Sequence, residues 1–593
     1  MTDRRGVVKR SGAVGGSALL AGGAVGSAVL LSMFASPAGA TTTFTVDTNF
    51  DGGANASDCV TPVANSCSLR DALAAATTNG DVIVFDAALS GQTISISQGN
   101  LTVSAGITIT GLGSANLTID AASTSRIFYI SNSSDGAEVA ISGLSMINGS
   151  VGRRYGGGIF DKHVGDLTLN DVSVTGCDAR YGGGVYKEYD GTLEIVDSTI
   201  SDNSASKGGG ALYTAGVGDL YITNSTFDGN TAGSGAGVGE LGNDGNVTIT
   251  GSTFSNNTAN GNGGAFYIER GVEGTVSISG STFSDNTATS GAGGAIYGRN
   301  GGSFTITNSS FDGNTAGSGG GGAVFARNNE SFTVTSSTFS GNHASSWGGA
   351  LYLETDAQVV TVTDSLFTGN SAVQAGGALD FDGDGQVVTI NNSTIVDNTS
   401  GTDGGGIWKE SAGSLTINMS TITENSAANS GGVFFNKPNQ NPQADVTITG
   451  TILAGNTGTA GAADDLGTYA DATSPVATIS DSILGAVEAG ITVTASNNID
   501  ATAPGFVIGL GALANNGGAT KTMALLAGSP AIDAGPATVP TFTGNGFDQR
   551  GTPFARVSNG RSDIGAFEFQ VDPTPSTTTT IATDDTVVPA FTG

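Results

Sequence analysis

Apolar residues recur along this chain in short β-branched runs with strict alternation, such as VTIT (247–250), VSIS (276–279) and FTIT (304–307). Turns of Gly, Asn, Asp and Ser separate them. No stretch keeps a 3.6-residue apolar spacing, so the alternation predicts strands rather than helices. The runs themselves repeat. VTITGSTFSNNTANGNGGAFYIE (247–269) is followed by VSISGSTFSDNTATSGAGGAIYGR (276–299). Alignment on one Asn gives Asn203, Asn230, Asn257, Asn286, Asn314, Asn342, Asn370, Asn398, Asn425 and Asn456, in steps of 27 to 31 residues with a mean near 28. Cys177 and Asn148 extend the series upstream. Units of this size cannot bury a core alone and must stack on their neighbours. All-strand units of about 28 residues per coil predict an all-β fold, a parallel β-helix over residues 81–500. A propeller is the alternative, although its blades need about 40 residues.

Period-2 parity assigns faces within each unit. The column Ile159, Val185, Leu212, Val238, Phe266, Ile296, Val324, Leu351, Leu379 and Ile407 is apolar throughout and must face inward, with Phe434 taken for the last unit. The aligned Asn column points into a corner, where stacked amides hydrogen-bond from rung to rung. Cys177, in that column, reads as a buried free thiol. The next column faces outward and carries rings at Phe160, Tyr186, Tyr213, Tyr267, Tyr297, Phe325, Tyr352, Trp408 and Phe435. Stacked about 4.8 Å apart, they predict an exposed aromatic stripe. Tyr267, Tyr297, Phe325, Tyr352 and Trp408 are its candidate ligand-binding face, suited to sugars or protein partners. The same column would also stiffen the sheet by ring stacking and by pairs such as Glu269–Arg299.

Composition narrows the function. Of 593 residues 95 are Gly and 13 Pro; only 12% are charged, and the formal net charge is −31. Scarce Pro excludes collagen, and regular Val, Ile and Phe exclude a disordered acidic chain. An acidic balance disfavours nucleic acid and anionic membranes. Two His and three Cys leave little for a zinc site or a His-dependent triad.

Arg4, Arg5, Lys9 and Arg10 precede a Gly/Ala-rich apolar stretch ending at Ala38-Gly39-Ala40, so residues 1–40 read as an export signal. Asp3-Arg4-Arg5 resembles a twin-arginine motif. No later segment is apolar enough to span a membrane, so a secreted or cell-surface location and a monomeric rod are expected. Cys59 and Cys67, close together in a loop-like stretch, are expected to form a disulfide in that oxidising compartment.

Two charge clusters stand out. Arg153, Arg154, Lys162, His163, Arg180 and Lys187 fall in adjacent units. Glu354, Asp356, Asp380, Asp382, Asp384 and Glu410 fall in three successive ones, with Asp380, Asp382 and Asp384 on the outer face by parity. Asp380-Phe-Asp-Gly-Asp384-Gly385 matches the opening of a calcium loop, but its twelfth position is Asn391 rather than Glu. Crowded carboxylates repel unless a cation or raised pKa values relieve them. Glu354, Asp356, Asp380, Asp382 and Asp384 are therefore the candidate metal ligands, with calcium as the cofactor. The clusters lie about six rungs apart, roughly 29 Å, too far to act on one bond. A carboxylate pair such as Glu354 and Asp382 is the alternative for glycoside hydrolysis.

At this point the residues carry resemblances. FDGN (227–230), FSNN (254–257), FSDN (283–286) and FSGN (339–342), with GGAF (263–266), GGAI (293–296) and GGAL (348–351), resemble the paired FxxN and GGA[ILV] repeats of polymorphic outer-membrane proteins. That resemblance implies a right-handed parallel β-helix of the pectin-lyase-like kind, displayed on a surface or adhesive. No outer-membrane barrel is expected after it. CSLRDAL (67–73) resembles the CSLREA-type motif of exported bacterial β-helix proteins and implies an N-terminal cap over 41–80. GSPAIDAG (528–535), DQRG (548–551) and DIGAFE (563–568) resemble a choice-of-anchor domain and imply a C-terminal cap over 501–570, with Arg550 paired to Asp533, Asp548 or Asp563. Residues 571–593 form a Thr/Pro-rich tail whose PAFTG end resembles a sortase signal without its Leu-Pro. The expected function is adhesion or binding of surface glycans or neighbouring-cell proteins without catalysis. A polysaccharide lyase or hydrolase and a structural envelope component are the alternatives.

Overall fold

The computed structural model describes residues 41–570 apart from 62, 132–135, 242–244, 269–273, 300–301, 328, 357, 436–443, 459–464 and 470–475. The expected export signal (1–40) and the tail (571–593) lie outside the described residues. The described residues from Thr41 onward form one compact unit.

The turn from Phe266 to Ala295 shows how the repeat folds. Phe266–Ile268 runs in a 14-stranded sheet, Val276–Ser279 and Thr282–Ser284 in a 31-stranded sheet, and Thr287–Ala288 in an 11-stranded sheet. Each strand pairs in parallel with its equivalent one turn on, as in Phe254↔Phe283↔Phe311, without slipping. About 13 turns of about 28 residues stack this way into a parallel β-solenoid.

Three corners bend each turn, and each uses a residue with positive φ. Gly280 (φ 56°) precedes Ser281, Asp285 (φ 53°) precedes Asn286, and Gly293 (φ 66°) precedes Gly294. Left-handed backbone favours Gly, Asn and Asp, which explains their abundance at turns. The third corner has a second demand. A Cβ on Gly294 would lie 2.0 Å from the carbonyl oxygen of Gly322 in the next turn, so only Gly permits the rung spacing there.

Two inward ladders follow these corners. Asn286 donates both its backbone N–H (3.1 Å) and its Nδ2 (3.0 Å) to Oδ1 of Asn314, while the same Nδ2 donates to the Phe254 carbonyl. This pattern runs from Asn203 to Asn456 and ends on Asp465, whose Oδ1 accepts both bonds from Asn456. A carboxylate suits the last rung because no further amide follows for it to donate to. A parallel ladder links Ser198, Ser225, Ser252, Ser281, Ser309, Ser337, Ser365, Ser393 and Ser420, each hydroxyl accepting the preceding backbone N–H. Sequence parity did not reveal this second column. Cys177 occupies the Asn column as expected, buried and free, with its thiol pushed up to about 12 by burial. The upstream rung is Gly149, whose N–H meets the Cys177 sulfur, not Asn148, which is the left-handed corner residue.

Apolar stacks fill the space between the ladders. Phe227, Phe254, Phe283, Phe311, Phe339 and Phe367 form one column with ring centroids 4.7–4.9 Å apart and planes within 11°. Each such burial contributes about 1.5–3 kcal/mol. The inward column of the 14-stranded sheet is buried throughout, but the unit after Ile407 holds Val433. Phe434 therefore belongs to the outward column, and Phe435, expected there, is buried in the core: counting from the two glycines, 431 and 432, puts Val433 first.

Specific contacts tie down the N-terminal end and one flank of the coil. The helix Leu69–Ala75 carries a capping box between Ser68 and Asp71, and its Leu69, Ala72 and Leu73 join the core. Arg70 makes a forked pair with Asp51 (2.7 and 3.2 Å) and donates to the carbonyls of Gly99 and Asn100. Cys59 and Cys67 are disulfide-linked beside it. The C-terminal segment lies along the flank of the coil: Gln549 bonds Thr394 and the Ser365 carbonyl, and Gly565 N–H reaches the Gly450 carbonyl. Of the three acids expected to partner Arg550, Asp548 does so (3.0 Å), and Phe554 and Phe567 each lie 3.8 Å from the guanidinium. Among the described residues no helix is long and apolar enough to cross a membrane.

Replacing Asn314 with Ala strips Asn286 of its acceptor and leaves the Phe283 carbonyl without its donor. A loss of about 2–4 kcal/mol is expected, read as a lower urea midpoint, against under about 0.5 kcal/mol for Val387→Thr on the exposed surface.

Candidate functional site

The outward column of the 14-stranded sheet is continuous in register from Tyr129 to Phe434, passing through Phe160, Tyr186, Tyr213, Tyr267, Tyr297, Phe325, Tyr352, Asp380 and Trp408. Gly239 interrupts it, since a Cβ there would lie 2.7 Å from the Gly209 nitrogen. The rings meet as parity predicts. Tyr267–Tyr297 centroids are 5.3 Å apart and Tyr297–Phe325 4.8 Å, both pairs stacked, and Phe325–Tyr352 meet edge-on at 5.3 Å.

Their exposure differs from the expectation. Tyr297 (9%), Phe325 (6%), Tyr352 (7%) and Trp408 (6%) are buried, and Tyr267 is half-buried. The segments leading into the glycine corner fold over them: Ala292 and Trp347 pack on the Tyr297–Tyr352 rings, and Ala375 packs on Trp408. Parity tells which side of the sheet a residue takes, not what lies above it. What this stretch presents to solvent is its rim. Arg299, Arg327, Glu354 and Asp382 follow one another at its edge, partly exposed, with Arg327 and Glu354 paired at 3.3 Å. Glu269, the expected partner of Arg299, lies outside the described residues.

The carboxylates behave individually. Asp380 sits in the column between Tyr352 and Trp408, fully buried, and neither of its oxygens has a hydrogen-bond partner. Burial, then Glu410 and Asp382, push its pKa well above the ordinary range, which favours the neutral acid. Asp382 accepts the Tyr352 hydroxyl at 3.0 Å, and Asp356 accepts the Asp384 N–H. Burial also raises Glu354, against the pull of Arg327. The expected calcium loop is not formed: Leu379–Phe381 and Gln386–Asn391 are strands of two different sheets. Among the described residues no three His, Cys, Asp or Glu groups converge to hold an ion. Glu354, Asp356, Asp380, Asp382 and Asp384 thus lie on two neighbouring turns, each in its own setting.

Two lysines face the interior. Lys409, paired with Phe381 one turn on from Asp380, donates to the carbonyls of Ser411 (2.6 Å), Ala412 and Gly383, and burial pushes it down to about 8. Lys187 donates to Asp161 (3.0 Å) and the Gly165 carbonyl, while Asp161 also holds His163. The expected basic cluster is therefore split: Lys187 and His163 are completely enclosed, whereas Arg153 and Arg154 are exposed. Two-residue parity from Val185 and Ile407 places both lysines inward.

The comparisons agree with this architecture. Residues 210–408 match the family described as the right handed beta helix region, and residues 197–215 match the Chlamydia polymorphic membrane protein repeat. The chain is a right-handed parallel β-helix. A crystal structure of pectate lyase Pel9A is similar at 12% identity, over 89% of this chain and 97% of that one, with a TM-score of 0.21. No curated protein matches the chain.

Asp380 predicts a pH dependence. Its folded pKa lies above the ordinary 3.8, so its contribution to stability is full below that value and lost as pH rises through the folded pKa. Between pH 4 and pH 8 the wild type should lose stability relative to Asp380→Asn, and the variant should be the more stable at pH 8. Urea midpoints at the two pH values check this; parallel curves contradict it.

Proposed function

We propose that this chain is an exported rod that works at or beyond a bacterial surface and binds a surface glycan or a neighbouring protein without chemical turnover. The observation that carries the reading is the rim of the aromatic column, where Arg299, Arg327, Glu354 and Asp382 stand in line on successive turns above buried rings. Side chains anchored on a register-locked sheet lose little freedom on binding, and a row spaced by the rung distance suits an extended partner. The right-handed β-helix match and the polymorphic membrane protein repeat support a surface or secreted setting. The net charge of −31 favours partners other than nucleic acid.

Degradation of a polysaccharide is the competing reading, and the carboxylates bear on it. Asp380, whose raised pKa would fit a general acid, is sealed beneath the column, away from any substrate. Glu354 and Asp382 are engaged by Arg327 and Tyr352.

The chain lacking residues 1–40 is expected to bind at least one glycan or cell-surface protein on an array. Joint replacement of Arg299, Arg327 and Glu354 with Gln should weaken that binding tenfold or more, with the melting temperature unchanged. Undiminished binding contradicts the role of the rim. Release of reducing or unsaturated ends from a polysaccharide panel would replace binding with catalysis.

A further inference from the structure

The aromatic column is closed along Tyr297–Trp408 but opens at its N-terminal end. Tyr129 and Phe160 are half-buried there, and Tyr155, at the neighbouring corner, is 36% exposed. Around them lies a surface pocket of about 340 Å³ lined by Arg126, Tyr129, Arg153, Arg154, Tyr155 and Phe160. Its volume falls at the lower end of small-ligand sites, about 300–1,000 Å³.

The walls are fixed by the fold. Tyr155 stacks on Tyr186 at 4.8 Å and 15°, meets Phe160 edge-on at 6.1 Å, and is bridged to Tyr181 of the next turn. The Arg126 guanidinium lies 5.1 Å from the Phe160 centroid and 5.5 Å from that of Tyr129. It donates to the carbonyls of Gly156 and Tyr155. Arg126 is thus a positioned cation with one face on aromatic rings. Arg153 and Arg154 are exposed beside it, and burial, then Arg154, disfavour the charged form of Arg126. Among the described residues no carboxylate forms an ion pair with any of the three. Three guanidinium groups gathered in a chain of net charge −31 repel one another, and an anion relieves that repulsion.

The chemistry of the walls selects the anion. A guanidinium fork matches a planar carboxylate with two parallel hydrogen bonds. Ring faces offer apolar area with a polar edge, which suits the C–H face of a pyranose. A long polyphosphate is disfavoured by the acidic remainder of the rod. From this we infer that the pocket binds one carboxylated sugar unit of an acidic glycan, its carboxylate on Arg153 and Arg154 and its ring against Tyr155. This rests on the reading of the rod as a binder of surface ligands and names a class of ligand for it. Uronic and sialic acids both present that chemistry.

Calorimetric titration of the chain lacking residues 1–40 with matched pairs tests the assignment: a β-1,4-linked glucuronate trimer against cellotriose, and 3′-sialyllactose against lactose. At least one acid should bind tenfold or more tighter than its neutral parent, less tightly in high salt. The acid that does so identifies the source. Arg154→Gln and Tyr155→Ala, both at exposed positions, should each cost tenfold or more in affinity with the melting temperature unchanged. Equal affinity for acid and parent, or acid binding indifferent to both variants, overturns the inference. If the array yields a neutral glycan or a protein ligand while neither acid binds, the pocket assignment falls and the binding rod stands. If nothing binds in either experiment, both fall.

Discussion

The buried amide at the second corner of each turn accepts two hydrogen bonds from the turn before it and spends its own donor on two carbonyl-type oxygens. Every other regularity depends on that arrangement. Its geometry requires an inward Asn immediately after a left-handed residue, so one corner of each turn is fixed relative to the next. The Ser column fixes a second corner in the same way. With two corners pinned, strands meet without slipping, and phenylalanines 28 residues apart land within 5 Å of one another. A buried polar group without a partner is costly, so each rung is stable only when its neighbours are present. The ladder makes the solenoid cooperative along its axis.

The outer surface inherits that order, because residues in one column of the sheet become neighbours in a row. That is why rings line up from Tyr267 to Tyr352 and why the charges beside them form a rim. It is also why one substitution within the column has distinct physics. Asp380 takes the place of a ring and is left fully enclosed, with carboxylates nearby and no donor. Lys409 is the opposite case, its buried ammonium held by three carbonyl contacts.

The fold was largely legible in the sequence because period, parity and corner residues all express one repeating constraint. The inward placement of Asn257 or Ile296 follows from alternation alone. The errors have equally local causes. Gly149 was missed as a rung because it has no side chain to align, and Asn148 stood next to it. The Ser column was hidden because Ser is common everywhere in the chain. Lys187 and Lys409 sit inward by parity, and the cost of burying their charge is met by carbonyl and carboxylate partners that only the register brings together. The site was less legible than the fold. Whether Phe325 is open to solvent depends on Trp347 and the glycine corner above it, and no periodicity encodes that. The gathering of Arg126 with Tyr155 joins residues 29 apart on different turns, which becomes visible only once the register is known.

Amide hydrogen exchange offers the most direct test of the register-locking ladder, because it reads each rung separately. The account predicts that the backbone N–H groups of Asn230, Asn257, Asn286, Asn314, Asn342 and Asn370 exchange together in the slowest class, while exposed Gly53 and Ala54 exchange at once. Ladder amides that exchange as fast as Gly53, or that fall into unrelated classes from one turn to the next, would contradict it.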